Sequence, residues 1–278
     1  MAPSRIVSIL YDTASCGAYT GSDKFSTRRR AQRVCLLLHK LTCPYQTTIF
    51  FTGRLADPFL QYSILSNTLG NTLITALGGT VLARGPPLIT NTPLDHVVGL
   101  SPYRSILLTM STFSMLKQNF TLLGTQNEEM TPAFSAQVGV FNAFCNSLNS
   151  LLFITSQTSA SVNGEHFPQT PLIVGSTLFA TGLFIETFSE VQRATWKKDP
   201  ANKGKVYDGG LFGLSRHINY FGYTLWRTGY AMAAGGFTYA GVVAGAFTWQ
   251  FLKTSIPELQ SYLEKRVSLR NNFHVFDL

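Results

Sequence analysis

Apolar residues along the chain fall in blocks separated by polar loops, and the blocks are of membrane-crossing length. A spanning helix needs roughly 20 predominantly apolar residues. Blocks at 62–83, 102–123, 133–155 and 171–188 are near that length, and a fifth at 222–252 exceeds it. The fifth carries Ala234, Gly235 and Gly236 at its middle, which predicts a helical hairpin of two short or tilted spans. The predicted fold is all-α: a polytopic integral membrane bundle of about six transmembrane helices. Pro86, Pro87 and Pro93 stop any helix between the first two blocks.

Polar residues inside the blocks sharpen this picture. Asn142, Asn146 and Asn149 are spaced by four and three and so share one helix face. Turned to lipid, three amides would be costly, so the face either packs on other helices or walls a polar pocket. Lys117, Gln118 and Asn119 come late in the second block, where they either face an interior cavity or mark the interface. Glu186, Glu190, Arg193 and Lys197 form one stripe if the fourth helix continues past its apolar part. Glu186, at the membrane border, needs a partner.

Composition agrees. Only 13% of the 278 residues are charged, about half the share of a soluble domain, and Phe is abundant at 21 residues. The mean hydropathy of +0.12 leaves room for sizeable polar loops. Cys16, Cys35, Cys43 and Cys145 show neither disulfide nor metal-site spacing. Residues 1–55 read as a polar, basic tail with Arg28, Arg29, Arg30 and Arg33, suited to a cytosolic segment or a mitochondrial transit peptide. Residues 56–266 form the membrane domain, and 267–278 an atypical C-terminal tail. The net charge of +8 is concentrated in alternate loops. Lys197, Lys198, Lys203, Lys205, Arg216, Lys265 and Arg266 share a side with the N-terminal tail, which the positive-inside rule makes cytosolic. The expected location is the endoplasmic reticulum; expected partners are membrane lipids and a lipid-like small molecule, with no nucleic acid.

The stretch from Glu186 to Tyr223 concentrates the chemistry. Its lysines and Arg216 suit a multiply anionic ligand, and Gly204, Gly209 and Gly210 let backbone approach it. The same charges would also attract anionic headgroups, but that attraction does not require His217, Asn219 or Tyr220. At Glu186, Glu190, 199–204 (DPANKG), 210–212 (GLF) and 215–222 (SRHINYFG) the chain resembles the membrane-embedded steroid 5-alpha-reductase-like family. The similarity is to its fungal and bacterial branch labelled DUF1295, and it extends over about 107–266.

That resemblance implies a helical membrane reductase delivering hydride from NADPH to a carbon–carbon double bond of a lipid or sterol-like substrate. By position, Glu190, Lys197, Lys205 and Asn219 match polar cofactor-contacting positions, with Arg216, His217 and Tyr220 in the same motif and Arg193 on the same helix stripe. Tyr220 and Tyr223 are the candidate catalytic residues, and no metal is implied. Ile218 stands where the family has Pro, and Tyr223 where it has an acid. Isoprenylcysteine-type membrane methyltransferases use a similar phrase for S-adenosylmethionine, which leaves methyl transfer as the alternative chemistry. A non-catalytic scaffold is a further one.

Overall fold

The computed structural model describes residues 44–89, 98–125, 131–161, 167–202, 205–261 and 264. Six α-helices are found among them: α1 (Pro44–Leu65), α2 (Asn71–Ala76), α3 (Pro102–Phe120), α4 (Pro132–Ile154), α5 (Thr170–Trp196) and α6 (Ile218–Gln250). π-helical turns continue α3 at Thr121–Thr125 and α6 at Phe251–Ser255. Two starts are written in the sequence as a capping hydroxyl followed by proline. Ser101 Oγ accepts from Arg104 N ahead of α3, and Thr131 Oγ1 accepts from Phe134 N ahead of α4.

The predicted hairpin is present in α6. Gly236, at φ 77° and ψ −170°, interrupts the helix in a conformation that suits glycine. In a continuous helix the rings of Tyr220 and Phe251 would lie roughly 46 Å apart, at 1.5 Å per residue. They stack with centroids 4.6 Å apart, so the arms 218–235 and 237–250 run antiparallel. Among the described residues the chain thus makes six long passes: α1, α3, α4, α5 and the two arms of α6. α5 packs closely along the first arm through small residues seven apart on each helix. A Cβ at Gly175 would lie 2.6 Å from Gly229 O, one at Gly182 2.7 Å from Gly222 O, and one at Gly222 2.7 Å from Glu186 N. Only glycine allows backbones this close.

The block 62–83 is not one spanning helix, contrary to its apolar composition; it holds the end of α1 and the short α2. α1 ends at Leu65, upstream of most of the block, and runs across position 55, where composition alone ends the polar tail. Beyond it Asn67, Gly70 and Gly78 adopt positive φ (56°, 94° and 78°), which no helix accommodates. The irregular backbone is pinned by buried Arg104. Its Nη1 donates to Leu65 O (2.6 Å) and Asn67 Oδ1 (2.8 Å), and its Nη2 donates to Ala83 O (3.2 Å). Val81 then pairs with Thr155 in an isolated bridge.

The helices bury polar side chains beside an apolar core that includes Leu107, Phe153, Phe179 and Trp226, and they expose large apolar ones. α1 buries Arg54, Asp57 and Gln61 and exposes Phe59; α3 buries Ser111, Ser114 and Gln118 and exposes Phe113 and Leu116. α4 buries Asn142, Asn146 and Asn149 and exposes Val140 and Phe144. Two helical stretches, Thr170–Trp196 and Ile218–Ser261, are long and apolar enough to cross a membrane.

Candidate functional site

One end of the bundle collects the C-terminal end of α5, the start of α6 and the π turn that follows α6. α5 continues past its apolar part to Trp196, so its charged stripe is helical. Glu190 forms an ion pair with Arg193, and Asn219 Nδ2 donates to Glu190 Oε1 at 3.0 Å. A carboxylate, a guanidinium and a carboxamide thus meet in one partly buried cluster.

The connecting loop folds onto the same face. Gly210, at φ +55°, turns the chain so tightly that a Cβ there would meet the Gln192 side chain, whose Oε1 accepts from Leu211 N at 3.0 Å. The Arg193 guanidinium lies over the Phe212 ring, 5.5 Å from its centroid, and Tyr207 packs against both Trp196 and Phe212. Asn202 Nδ2 donates to Trp196 O at 3.1 Å, tying the loop to the helix end.

Beside the cluster lies an aromatic stack. Tyr220 is parallel to His217 within 3° at 5.4 Å and to Phe251 within 2° at 4.6 Å. His217 is half-buried, and its pKa lies below the ordinary 6.5, first because burial disfavours the charged ring and second because Arg216 repels it. The imidazole is therefore neutral at physiological pH.

The structure brings Glu190, Arg193, Asn219, His217 and Tyr220 together. Lys197, one turn beyond Arg193, is exposed, as are Arg216 and Lys205; no described hydrogen bond or ion pair joins the Lys205 side chain to Glu190. Lys203 lies outside the described residues. Tyr223 turns inward: its hydroxyl accepts from Arg227 Nε at 3.2 Å, and its ring packs on Trp226, Phe247 and Phe251.

Tyr223 opens onto an interior network that sequence reasoning largely missed. Arg227 donates through Nη1 to Asn146 Oδ1 (3.1 Å) and through Nη2 to Asn142 Oδ1, and it lies over the Trp226 ring at 4.3 Å. Asn146 Nδ2 passes the network on to Asp57 Oδ2 at 2.6 Å. Asp57 also accepts from Arg54 Nη1 (3.2 Å) and Gln61 Nε2 (2.9 Å). Glu186 has the partners its position demands, Lys117 in an ion pair and Trp226 Nε1 at 2.7 Å. Asn149 Oδ1 accepts from Tyr239 Oη at 2.9 Å, so all three α4 asparagines serve interhelical contacts. Arg54, Asp57 and Gln61 stand at helical spacing within a stretch read as tail border, and that spacing was the available signal.

Residues 124–277 match the family described as "Protein of unknown function (DUF1295)". A relative from Ustilaginoidea virens, "Probable O-methyltransferase ustE", is 39% identical over 233 residues, covering 83% of this chain and 82% of the relative. No solved structure matches the chain. The relative's name denotes a group-transfer enzyme and overturns the expectation of an NADPH-dependent reductase of carbon–carbon double bonds, and NADPH as cofactor with it. The reason lies in the motif: arginine, histidine, asparagine and tyrosine are residue types that suit many nucleotide-like ligands, hydride and methyl donors alike, and so do not tell them apart. On a family match spanning 124–277 of the 278 residues, together with that identity, the chain belongs to the DUF1295 family.

Proposed function

We propose that this protein is a membrane-embedded methyltransferase that moves a methyl group from S-adenosylmethionine to an oxygen of a lipophilic small molecule. The observation that carries the reading is the 39% identity over 233 residues with the fungal protein named as a probable O-methyltransferase. The donor set at the bundle end fits such a cofactor. Glu190, steadied by Asn219, offers a carboxylate to ribose hydroxyls or an ammonium group. Arg193, with exposed Lys197 four residues on and exposed Arg216 next to His217, offers cationic donors to a carboxylate. The His217–Tyr220–Phe251 stack offers aromatic faces to a flat base or a sulfonium cation.

When bound, S-adenosylmethionine supplies an electrophilic methyl carbon on a sulfonium sulfur that leaves as a neutral thioether. The chain's own residues then orient the acceptor and handle its proton. Neutral His217 can accept a proton from an acceptor hydroxyl at Nδ1 or Nε2 as the oxygen–carbon bond forms. An acceptor already ionised needs no base. Water exclusion falls to the apolar bundle and the Phe251 turn.

The outer surface supports a bilayer setting. Phe59, Phe113, Phe144 and Phe184 face out while several charged and amide side chains are buried beside the apolar core, an arrangement that suits a lipid surrounding. In this reading all six passes cross the membrane, and the site end faces the cytosol of the endoplasmic reticulum, where the lysine-rich loop belongs. Calorimetric titration of purified protein with S-adenosylmethionine tests the site. Glu190→Gln should weaken binding roughly tenfold or more, as expected for losing a charge-assisted hydrogen bond worth about 1.5–3 kcal/mol. Unchanged affinity in that variant would remove Glu190 from the site.

A further inference from the structure

The bundle interior does not balance its charge. Among the described residues, Lys117 pairs with Glu186 and Arg54 with Asp57, using both buried carboxylates of the network. Arg227, only 2% exposed, bonds to none: its donors end on the neutral oxygens of Tyr223, Asn142 and Asn146, and Glu186, already paired with Lys117, acts on it only across space. Asn146 relays it to Asp57, which already serves Arg54 and Gln61. Arg104 is also buried, but it bonds carbonyls at the C-terminal end of α1, where the helix dipole supplies partial negative charge. Arg227 sits at no helix end. A buried cation without a counter-charge is costly at membrane depth. An unsatisfied cationic donor, Arg54 Nε, lies in the same network, fully buried and without a hydrogen-bond partner.

We propose that Arg227 is the anchor for an anionic oxygen group, a carboxylate or phenolate, carried by the lipophilic substrate. Its guanidinium has five N–H groups, of which three are used, so a bound oxyanion can be added to the existing contacts. The Trp226 and Tyr223 rings beside it would pack against the body of such a ligand. Tyr223 then joins this anchor to the Phe251–Tyr220–His217 stack. The proposal rests on the methyl-transfer reading for the identity of the ligand as the acceptor substrate.

The test uses the full chain in lipid nanodiscs at pH 7.5, titrated with 4-octylbenzoate, 4-octylphenol and methyl 4-octylbenzoate as probes. The benzoate should bind at least tenfold more tightly than its ester; tight binding of the phenol as well would assign the phenol class too. Asn142→Asp is the decisive variant, because it keeps the oxygen that accepts from Arg227 and Gln118 and adds a charge there, although it gives up the Nδ2 donation to Val138 O. It should abolish the preference for the acid, because its own carboxylate then holds the guanidinium, and residual ester binding shows that the variant has folded. Equal binding of acid and ester by the parent, or an undiminished acid preference in Asn142→Asp, would overturn the proposal. S-Adenosylmethionine titrated into the same preparation reads the methyl-transfer function separately. Acid preference without that binding would uphold the anchor and sink the methyltransferase, and the converse would do the reverse.

Discussion

Among the described residues, His217 is the histidine whose protonation bears on the proposed chemistry. Burial, and after it the Arg216 charge, lowers its pKa from 6.5, so the neutral ring is favoured in the folded chain. A base role requires that neutral form. Turnover of an acceptor hydroxyl should therefore rise as pH climbs through a pKa below 6.5 and be flat from pH 7 to 8. Arg216→Ala removes one source of repulsion and should move the rise to higher pH; a pH–rate profile that stays in place would exclude the coupling. Linkage gives stability the same direction. The unfolded chain binds the proton more readily, so acidification from 6.5 down through the lowered pKa favours unfolding. The α4 asparagines differ in weight. Asn142 and Asn146 accept from a buried guanidinium, whereas Asn149 accepts from a phenol. Replacing either of the first two by Leu should cost about 1.5–3 kcal/mol, and Asn149→Leu about 1 kcal/mol. Equal thermal midpoints for all three variants in detergent would contradict the network as described.

At the level of elements, the pairing of α5 with the first arm of α6 sets the site, because Glu190 and Asn219 meet only if those helices keep their register. Ala at Gly182 or Gly229 gains up to about 1 kcal/mol of helix propensity. Against that, each new Cβ would press on backbone, 2.7 Å from Gly222 O in one case and 2.5 Å from Gly175 O in the other. Backbone cannot rotate away, so overpacking of about 1–3 kcal/mol should win, with loss of folded yield. Gly245→Ala is the control: its Cβ would meet nothing within 4 Å, and it should be neutral or stabilising. A Gly182→Ala variant as stable as Gly245→Ala would mean that the helices do not pack this closely. Much at this scale was legible in the sequence. The glycine-marked hairpin, the Asn face of α4 and the charged stripe of α5 follow from spacing alone. The first pass was not, because hydropathy counts composition and is blind to backbone sign. Residues 62–83 are apolar enough to span, yet Asn67, Gly70 and Gly78 turn left-handed. α1 hid behind Arg54, Asp57 and Gln61, whose charge lowers hydropathy although all three are buried.

Taken whole, the molecule is a bundle whose polar residues converge inward and toward one end. Six passes leave residue 44 and Phe251 at that same end, beside the aromatic stack or on its side of the bundle, so the interior network and the membrane-border cluster form one connected system. Fold alone could not decide what this system transfers. A stripe of carboxylate, guanidinium, carboxamide and imidazole suits either of two nucleotide-like ligands, and the motif at 215–222 reads the same for both. Our proposal favours the methyl donor because the similarity to the fungal relative named as a probable O-methyltransferase extends over 83% of this chain, well beyond the motif. The most direct measurement is a side-by-side calorimetric titration of the purified, lipid-reconstituted protein with S-adenosylmethionine and with NADPH. Saturable binding of S-adenosylmethionine, weakened by Glu190→Gln and Asn219→Ala, with no binding of NADPH, is the expected result. Saturable NADPH binding in the absence of any S-adenosylmethionine binding would contradict methyl transfer.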